Sequence, residues 1–281
     1  MRRFWYVCLL CGLLAWLSPA ASADQIFYAF SGVSTSPNTL TAIDIGTGLA
    51  VSTIAVTGGY YNLTGSAFDP SGVFYALGQD GSGNPVVISV NLSTGAGTLV
   101  SSLPAGLMGM EVASDGTVYF GGDPNGGELY RVPPDHSNFF DVGPMGFDHF
   151  MDFAIDSQGG LYAVASSYDD PPTGTSSIYR INKSSGTGTL VGTLPNNPCL
   201  MGIAFDKSDN LFATEFCGGP HPLYEITGLS SSNPNGATAT AIGTSTTVSN
   251  LHGGDIYTPE PASLMLCLLG GVLLAARKLH S

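Results

Sequence analysis

The sequence predicts an all-β protein: a five-bladed β-propeller closed by pairing of its N- and C-terminal strands, followed by a C-terminal membrane helix. Three observations lead there. The 281 residues include 38 glycines and 18 prolines while only 10% are charged, a turn-dense composition that excludes coiled coils and charged disordered tails. One short motif recurs five times. The two ends of the repeat region are complementary fragments of one further unit.

The motif reads Leu63-Thr64-Gly65-Ser66-Ala67-Phe68-Asp69, Leu107-Met108-Gly109-Met110-Glu111-Val112-Ala113, Phe150-Met151-Asp152-Phe153-Ala154-Ile155-Asp156, Leu200-Met201-Gly202-Ile203-Ala204-Phe205-Asp206 and Leu251-His252-Gly253-Gly254-Asp255-Ile256-Tyr257. Its starts lie 44, 43, 50 and 51 residues apart. The first four copies run into a turn and a second apolar strand, as in Pro70-Ser71-Gly72 followed by Val73-Phe74-Tyr75-Ala76, which is a hairpin pattern. Third and fourth strands follow around turns such as 91–97 and 182–188. Four short antiparallel strands in 40 to 50 residues make a propeller blade. Residues 26–57 begin with a second strand, Ile26-Phe27-Tyr28-Ala29, and Leu251–Tyr257 is a first strand with nothing after it. Joining them makes the fifth blade and removes open sheet edges. The alternative architecture is an irregular β-sandwich.

The ends read as addresses. Met1-Arg2-Arg3, an apolar run from Phe4 to Leu17 and the Ala21-Ser22-Ala23 site predict a secretory signal peptide over 1–23. The propeller is assigned to 24–258. Residues 259–281 comprise Pro259-Glu260-Pro261, an apolar stretch from Ala262 to Ala276 and the cations Arg277 and Lys278. That stretch makes roughly 22 Å of helix, short for a hydrocarbon core of about 30 Å. Its terminal place and basic tip predict a membrane segment with a cytoplasmic C-terminus. This arrangement resembles the PEP-CTERM sorting signal of Gram-negative bacteria. The resemblance implies an exosortase, a membrane protease that removes the tail, as partner, in organisms that make extracellular polysaccharide, with the protein exported and then anchored, surface-bound or released. Over the repeats, the chain resembles exported propellers of the NHL and gluconolactonase-like kind, a likeness of architecture that selects no activity.

Charge narrows the partners. The formal net charge is −13, and only Arg131, Arg180, Lys183 and Lys207 supply cations between the two terminal signals. Nucleic acid is not an expected partner, because phosphate is bound by neutralising it. A monomer is expected.

Because the repeats are internal copies, a position that breaks their pattern is informative. The third motif residue is glycine in four copies and Asp152 in the other; a carboxylate at the axis must be hydrated, paired or metal-bound. Asp148 and His149 precede it and His252 arrives on the closing strand, making a candidate channel-mouth site of Asp148, His149, Asp152 and His252. Three readings compete: a divalent metal on His149, Asp152 and His252, general acid and base work, or a hydrated mouth with satisfied side chains. No cofactor is expected. A candidate binding face gathers Tyr60, Tyr61, Asp80, Asp123, Asp169, Asp170 and His221 on the longer loops, tyrosines beside acids offering an amphipathic surface to sugar rings. The first functional reading is a non-enzymatic exported platform for polysaccharide or matrix; the second is a metal-assisted hydrolase or lyase acting on extracellular carbohydrate or lactone.

Two cysteines, Cys199 and Cys217, lie between the signals. Reading Lys207-Ser208-Asp209 as a three-residue hairpin loop pairs Asp206 with Asn210 and sets Cys199 directly opposite Cys217, at a separation a disulfide can bridge. Two free thiols, or a metal pair with His221, are the rival reading.

Overall fold

The computed structural model describes residues 25–31, 38–104, 106–122, 127–166, 174–197, 199–217, 222–243 and 250–257. Twenty strands follow one another: β1 (Ile26–Ser31), β2 (Thr39–Asp44), β3 (Ala50–Ala55), β4 (Ser66–Phe68), β5 (Phe74–Gln79), β6 (Pro85–Val90), β7 (Gly97–Ser102), β8 (Gly109–Val112), β9 (Val118–Gly122) and β10 (Glu128–Val132). Then come β11 (Phe140–Pro144), β12 (Phe150–Ile155), β13 (Leu161–Ala165), β14 (Ser176–Ile181), β15 (Gly188–Leu194), β16 (Leu200–Phe205), β17 (Leu211–Glu215), β18 (Leu223–Thr227), β19 (Thr238–Ile242) and β20 (Leu251–Tyr257).

They form five four-stranded antiparallel sheets. The first blade has the order β20-β1-β2-β3, and the others are β4 to β7, β8 to β11, β12 to β15 and β16 to β19. The first blade is therefore built from both ends of the propeller, with Ile26 opposite Tyr257 and Ser31 opposite Leu251. Inner strands β4, β8, β12, β16 and β20 each touch the next, and β20 returns to β4.

The hairpins owe their shape to side chains that the motif repeats. Asp69 Oδ1 accepts from the N–H groups of Ser71 and Val73, both at 2.9 Å. Asp156 does the same for Gln158 and Gly160, and Asp206 for Ser208 and Asn210. These are Asx turns, in which a carboxylate replaces a backbone acceptor. Inner strands such as β12 are buried almost throughout, whereas the outer β7 is exposed along its length. The core is divided among the blade interfaces: Phe30 and Phe74 between the first and second blades, Phe150 and Phe153 between the third and fourth, and Met151, Ile178 and Ile203 between the fourth and fifth.

The disulfide Cys199–Cys217 is present, with Cα atoms 5.6 Å apart. Its register differs from the expectation. From Phe205 opposite Leu211 to Gly202 opposite Thr214 the ladder follows the three-residue loop, but a bulge at Met201 then sets Leu200 opposite Glu215. The carbonyl of Cys199 consequently accepts from the N–H of Phe216, and Cys217 lies one residue beyond the directly opposed position. An extra residue on the inner strand increases local twist, and the cysteines meet across that twist. Alkylation of the denatured, non-reduced protein is expected to leave Cys199 and Cys217 unlabelled, and peptide masses after reduction to show both labelled. Labels on both without reductant would remove the bridge.

The expected signal peptide, the Pro259-Glu260-Pro261 segment, the membrane helix and the Arg277 and Lys278 tip lie outside the described residues. Among the described residues no helix is long and apolar enough to cross a membrane.

Candidate functional site

The third motif residue lines a waist where neighbouring inner strands meet backbone to backbone. A β-carbon added at Gly65 would lie 2.7 Å from Gly109 Cα, and one at Gly109 would lie 2.7 Å from Asp152 Cα. At Gly202 it would lie 2.1 Å from the carbonyl oxygen of Gly253, and at Gly253 2.3 Å from that of Thr64. No other side chain fits such contacts, which explains glycine in four copies. Asp152, in the remaining copy, extends its carboxylate to the neighbouring inner strand. Oδ2 accepts from the N–H of Ile203 at 3.3 Å, and Oδ1 is buried without a partner in hydrogen-bond geometry. Burial raises its pKa well above the usual carboxylate range; the N–H groups of Phe153, Ile203 and Gly254 oppose that shift and the Asp255 charge adds to it.

Two more acids enter the axis at the fifth motif position, where the other copies carry Ala67, Ala154 and Ala204. Glu111 Oε1 accepts from the N–H of Val112 at 2.8 Å. Its pKa is pushed well up by burial and by the charges of Asp255 and Asp152. Asp255 is bound by backbone at both oxygens, from Phe68 N–H at 2.6 Å and Ile256 N–H at 2.7 Å. It is only partly buried by area, yet the protein packed around the carboxylate displaces enough water to raise its pKa to about 7. Like charges near one another in poor solvent favour the neutral acids. Glu111 and Asp255 escaped the sequence reading; the comparison of copies that singled out Asp152 marks both when applied two residues further on.

The four residues of the predicted mouth are distributed differently. Asp148 and His149 are exposed; His149 has φ 58°, and its carbonyl accepts from the N–H of Ser166. His252 is buried, 2% exposed, with its ring edge-on to Phe216 at 4.3 Å. The second motif position carries Met151 and Met201 into the core between the fourth and fifth blades, and His252, at the same position of the closing strand, is buried likewise. Burial lowers its pKa to about 4. Among the described residues, no three or more His, Cys, Asp or Glu side chains are grouped so as to hold a metal ion.

On the expected binding face, Tyr60 and Tyr61 are half-buried. Tyr60 packs on the core between the first two blades, and Tyr61 exchanges backbone hydrogen bonds with Gln79. Asp80 closes a turn on Ser82 and Asn84. Asp123, Asp169, Asp170 and His221 lie outside the described residues.

A five-bladed propeller with an acidic axis is thus the class of protein. Its fold is similar to that of TolB from Acinetobacter baumannii, with a TM-score of 0.53 and 13% identity over 85% of this chain and 67% of that one. Weaker likenesses join it to a gluconolactonase from Xanthomonas campestris, at TM-score 0.44 and 15% identity over 80% of this chain and 79% of that one. They also join it to the PQQ-bound aldose sugar dehydrogenase from Streptomyces coelicolor, at 0.43 and 20% over 69% and 63%. No protein-family model matches the chain, and no curated protein matches it in sequence. Identities this low establish architecture and select no chemistry.

Proposed function

We propose that the chain is an exported, non-enzymatic β-propeller serving as an interaction platform at the cell surface or in the extracellular matrix. Its C-terminal Pro-Glu-Pro segment, short membrane helix and basic tip address it to an exosortase-type protease. The observation that carries the platform reading is the waist of the inner strands. Asp152, held to Ile203, lies inside a waist of touching backbones, which supports loops and rims as the surfaces that meet a partner. The disulfide fits an oxidising compartment. Acidic loops keep such a surface soluble, and extracellular polysaccharide is the partner class that the sorting signal suggests.

The test is expression of the full chain in an exopolysaccharide-producing Gram-negative host, with and without its exosortase. In the complete host the protein is expected outside the inner membrane, with an intact mass lacking residues beyond the Pro-Glu-Pro region, and to sediment with the host's purified polysaccharide. Without exosortase it is expected in the membrane with its tail. Equal mass and location in both hosts would overturn the sorting assignment, and protein left in the supernatant would overturn the polysaccharide assignment.

A further inference from the structure

The five blades do not meet alike. In four interfaces the turn between third and fourth strands of one blade lies against the outer strand of the blade before it. The β6–β7 turn exchanges hydrogen bonds with Thr57, at 2.9 Å from Thr57 N–H to the Gly95 carbonyl and 3.0 Å from Gly97 N–H to the Thr57 carbonyl. The β14–β15 turn donates from Gly188 to Met145 at 2.8 Å, and the β18–β19 turn from Ser230 to Val191 at 2.7 Å. In the β2–β3 turn a β-carbon at Gly48 would lie 2.0 Å from the carbonyl oxygen of Ile242. Left-handed glycines permit this approach. Gly48, Gly95 and Gly186 have φ of 69°, 72° and 79°, and an added β-carbon on each would lie within 2.3 Å of a carbonyl oxygen of the preceding blade.

The fifth interface, between the second and third blades, lacks this contact. The β10–β11 turn is Pro133-Pro134-Asp135-His136-Ser137-Asn138-Phe139, without glycine. It closes with His136 N–H on the Pro133 carbonyl, and the left-handed residue is His136 itself, with φ 53°. The turn has no counterpart of Gly48, Gly95 and Gly186, the glycines that lie against the preceding blade elsewhere. Among the described residues no backbone hydrogen bond joins this turn to β7, and a cavity of 690 Å³ lies between them. That volume falls within the range of small-molecule sites.

Val87, Val100, Met110, Val112, Phe120 and Phe139 supply apolar wall, the β10–β11 turn adds His136, Ser137 and Asn138, and neither lysine nor arginine is present. Asp69 and Tyr75 are the polar groups from the second blade's first hairpin. Asp69 Oδ1 is occupied by three donors, Ser71 N–H, Ser71 Oγ and Val73 N–H, whereas Oδ2 receives only the Tyr75 hydroxyl at 3.3 Å. Partial burial opposes ionisation, but the bonds from Ser71, Val73 and Tyr75 outweigh it and hold this carboxyl below its usual range. A negative charge beside an apolar wall, with neither lysine nor arginine in the lining to neutralise it, complements a cation carried on an apolar body.

We propose that this gap binds a small apolar cation, an amine or quaternary ammonium whose charge rests on Asp69 Oδ2 and whose body lies against Val100, Met110 and Phe120. The site is independent of the terminal signals and of the axis.

The probes are three naphthalenes of one shape, 2-naphthylmethylammonium, 2-naphthylmethanol and 2-naphthoate, titrated calorimetrically into the purified full-length chain at pH 7. The ammonium is expected to bind about tenfold tighter than the alcohol, the worth of one charge-assisted hydrogen bond, and the carboxylate weakest. Asp69→Asn keeps an amide oxygen for the turn and should erase the preference for ammonium over alcohol. Asp156→Asn, the equivalent turn residue of the fourth blade, should leave it intact. Val100→Trp, at a half-exposed rim position, should weaken all three probes. Equal binding of the three probes by the parent, no binding of the ammonium, or a preference that survives Asp69→Asn would each overturn the proposal. The parent's preference and the Val100→Trp result read the site even if Asp69→Asn folds poorly.

Discussion

Deleting Leu251–Tyr257 is expected to abolish the cooperative thermal transition of the whole propeller. This strand is the inner strand of the first blade, paired along β1 and in contact with both β16 and β4. Its loss exposes the edge of β1, uncovers the inner strands β16 and β4, and reopens the ring. Leu251 and Ile256 are 3% and 7% exposed, and burying a side chain of this size contributes about 1.5–3 kcal/mol. The two together approach the lower end of the roughly 5–15 kcal/mol that holds a domain folded, before the lost ladder bonds are added. Calorimetry or circular dichroism melts of parent and truncated chains decide the matter; a truncated chain that melts as the parent does would remove the closure role of β20.

Raising the pH from about 4 to 7 is expected to lower the melting temperature, with the axial acids as the cause. Asp255 has its folded pKa raised from 3.8 to about 7, and Glu111 and Asp152 are displaced in the same direction. Between the unfolded and folded values the folded chain holds the extra protons, so its stability is fullest below the unfolded value and declines as pH rises. For Asp255 alone the loss is at most about 4 kcal/mol. His252 works oppositely. Its folded pKa is lowered from 6.5 to about 4, so its contribution is present above pH 6.5 and lost as pH falls toward 4. One histidine against three acids leaves the decline with rising pH dominant. Glu111→Gln keeps an acceptor for Val112 and removes the charge facing Asp255 and Asp152. The variant should melt near the parent at pH 4 and clearly above it at pH 8. A parent whose melting temperature rises between pH 5 and 8, or a variant with an unchanged slope, would sink this account.

The repeat made the architecture legible. The recurring motif, its hairpin turns and the split first blade survive in the structure as read. Asp152 was legible for the same reason, since one carboxylate among four glycines stands out in any comparison of copies. Glu111 and Asp255 carried an equal signal at the fifth motif position and went unread. The placement of His252 was not available from the motif, because the face a residue takes beside a bulge depends on which strand carries the extra residue. The bulge at Met201 likewise moved the cysteines off direct opposition without separating them.

By itself, the sequence determined that this protein is a ring of five four-stranded blades closed through its own ends, because strand periodicity and turn chemistry act over a few residues. Only the tertiary structure decided which acids share the axis, which histidine turns into the core and which blade interface stays open. Those outcomes depend on how closely two backbones approach, as at Gly48, Gly95 and Gly186, where the preceding blade leaves no room for a β-carbon.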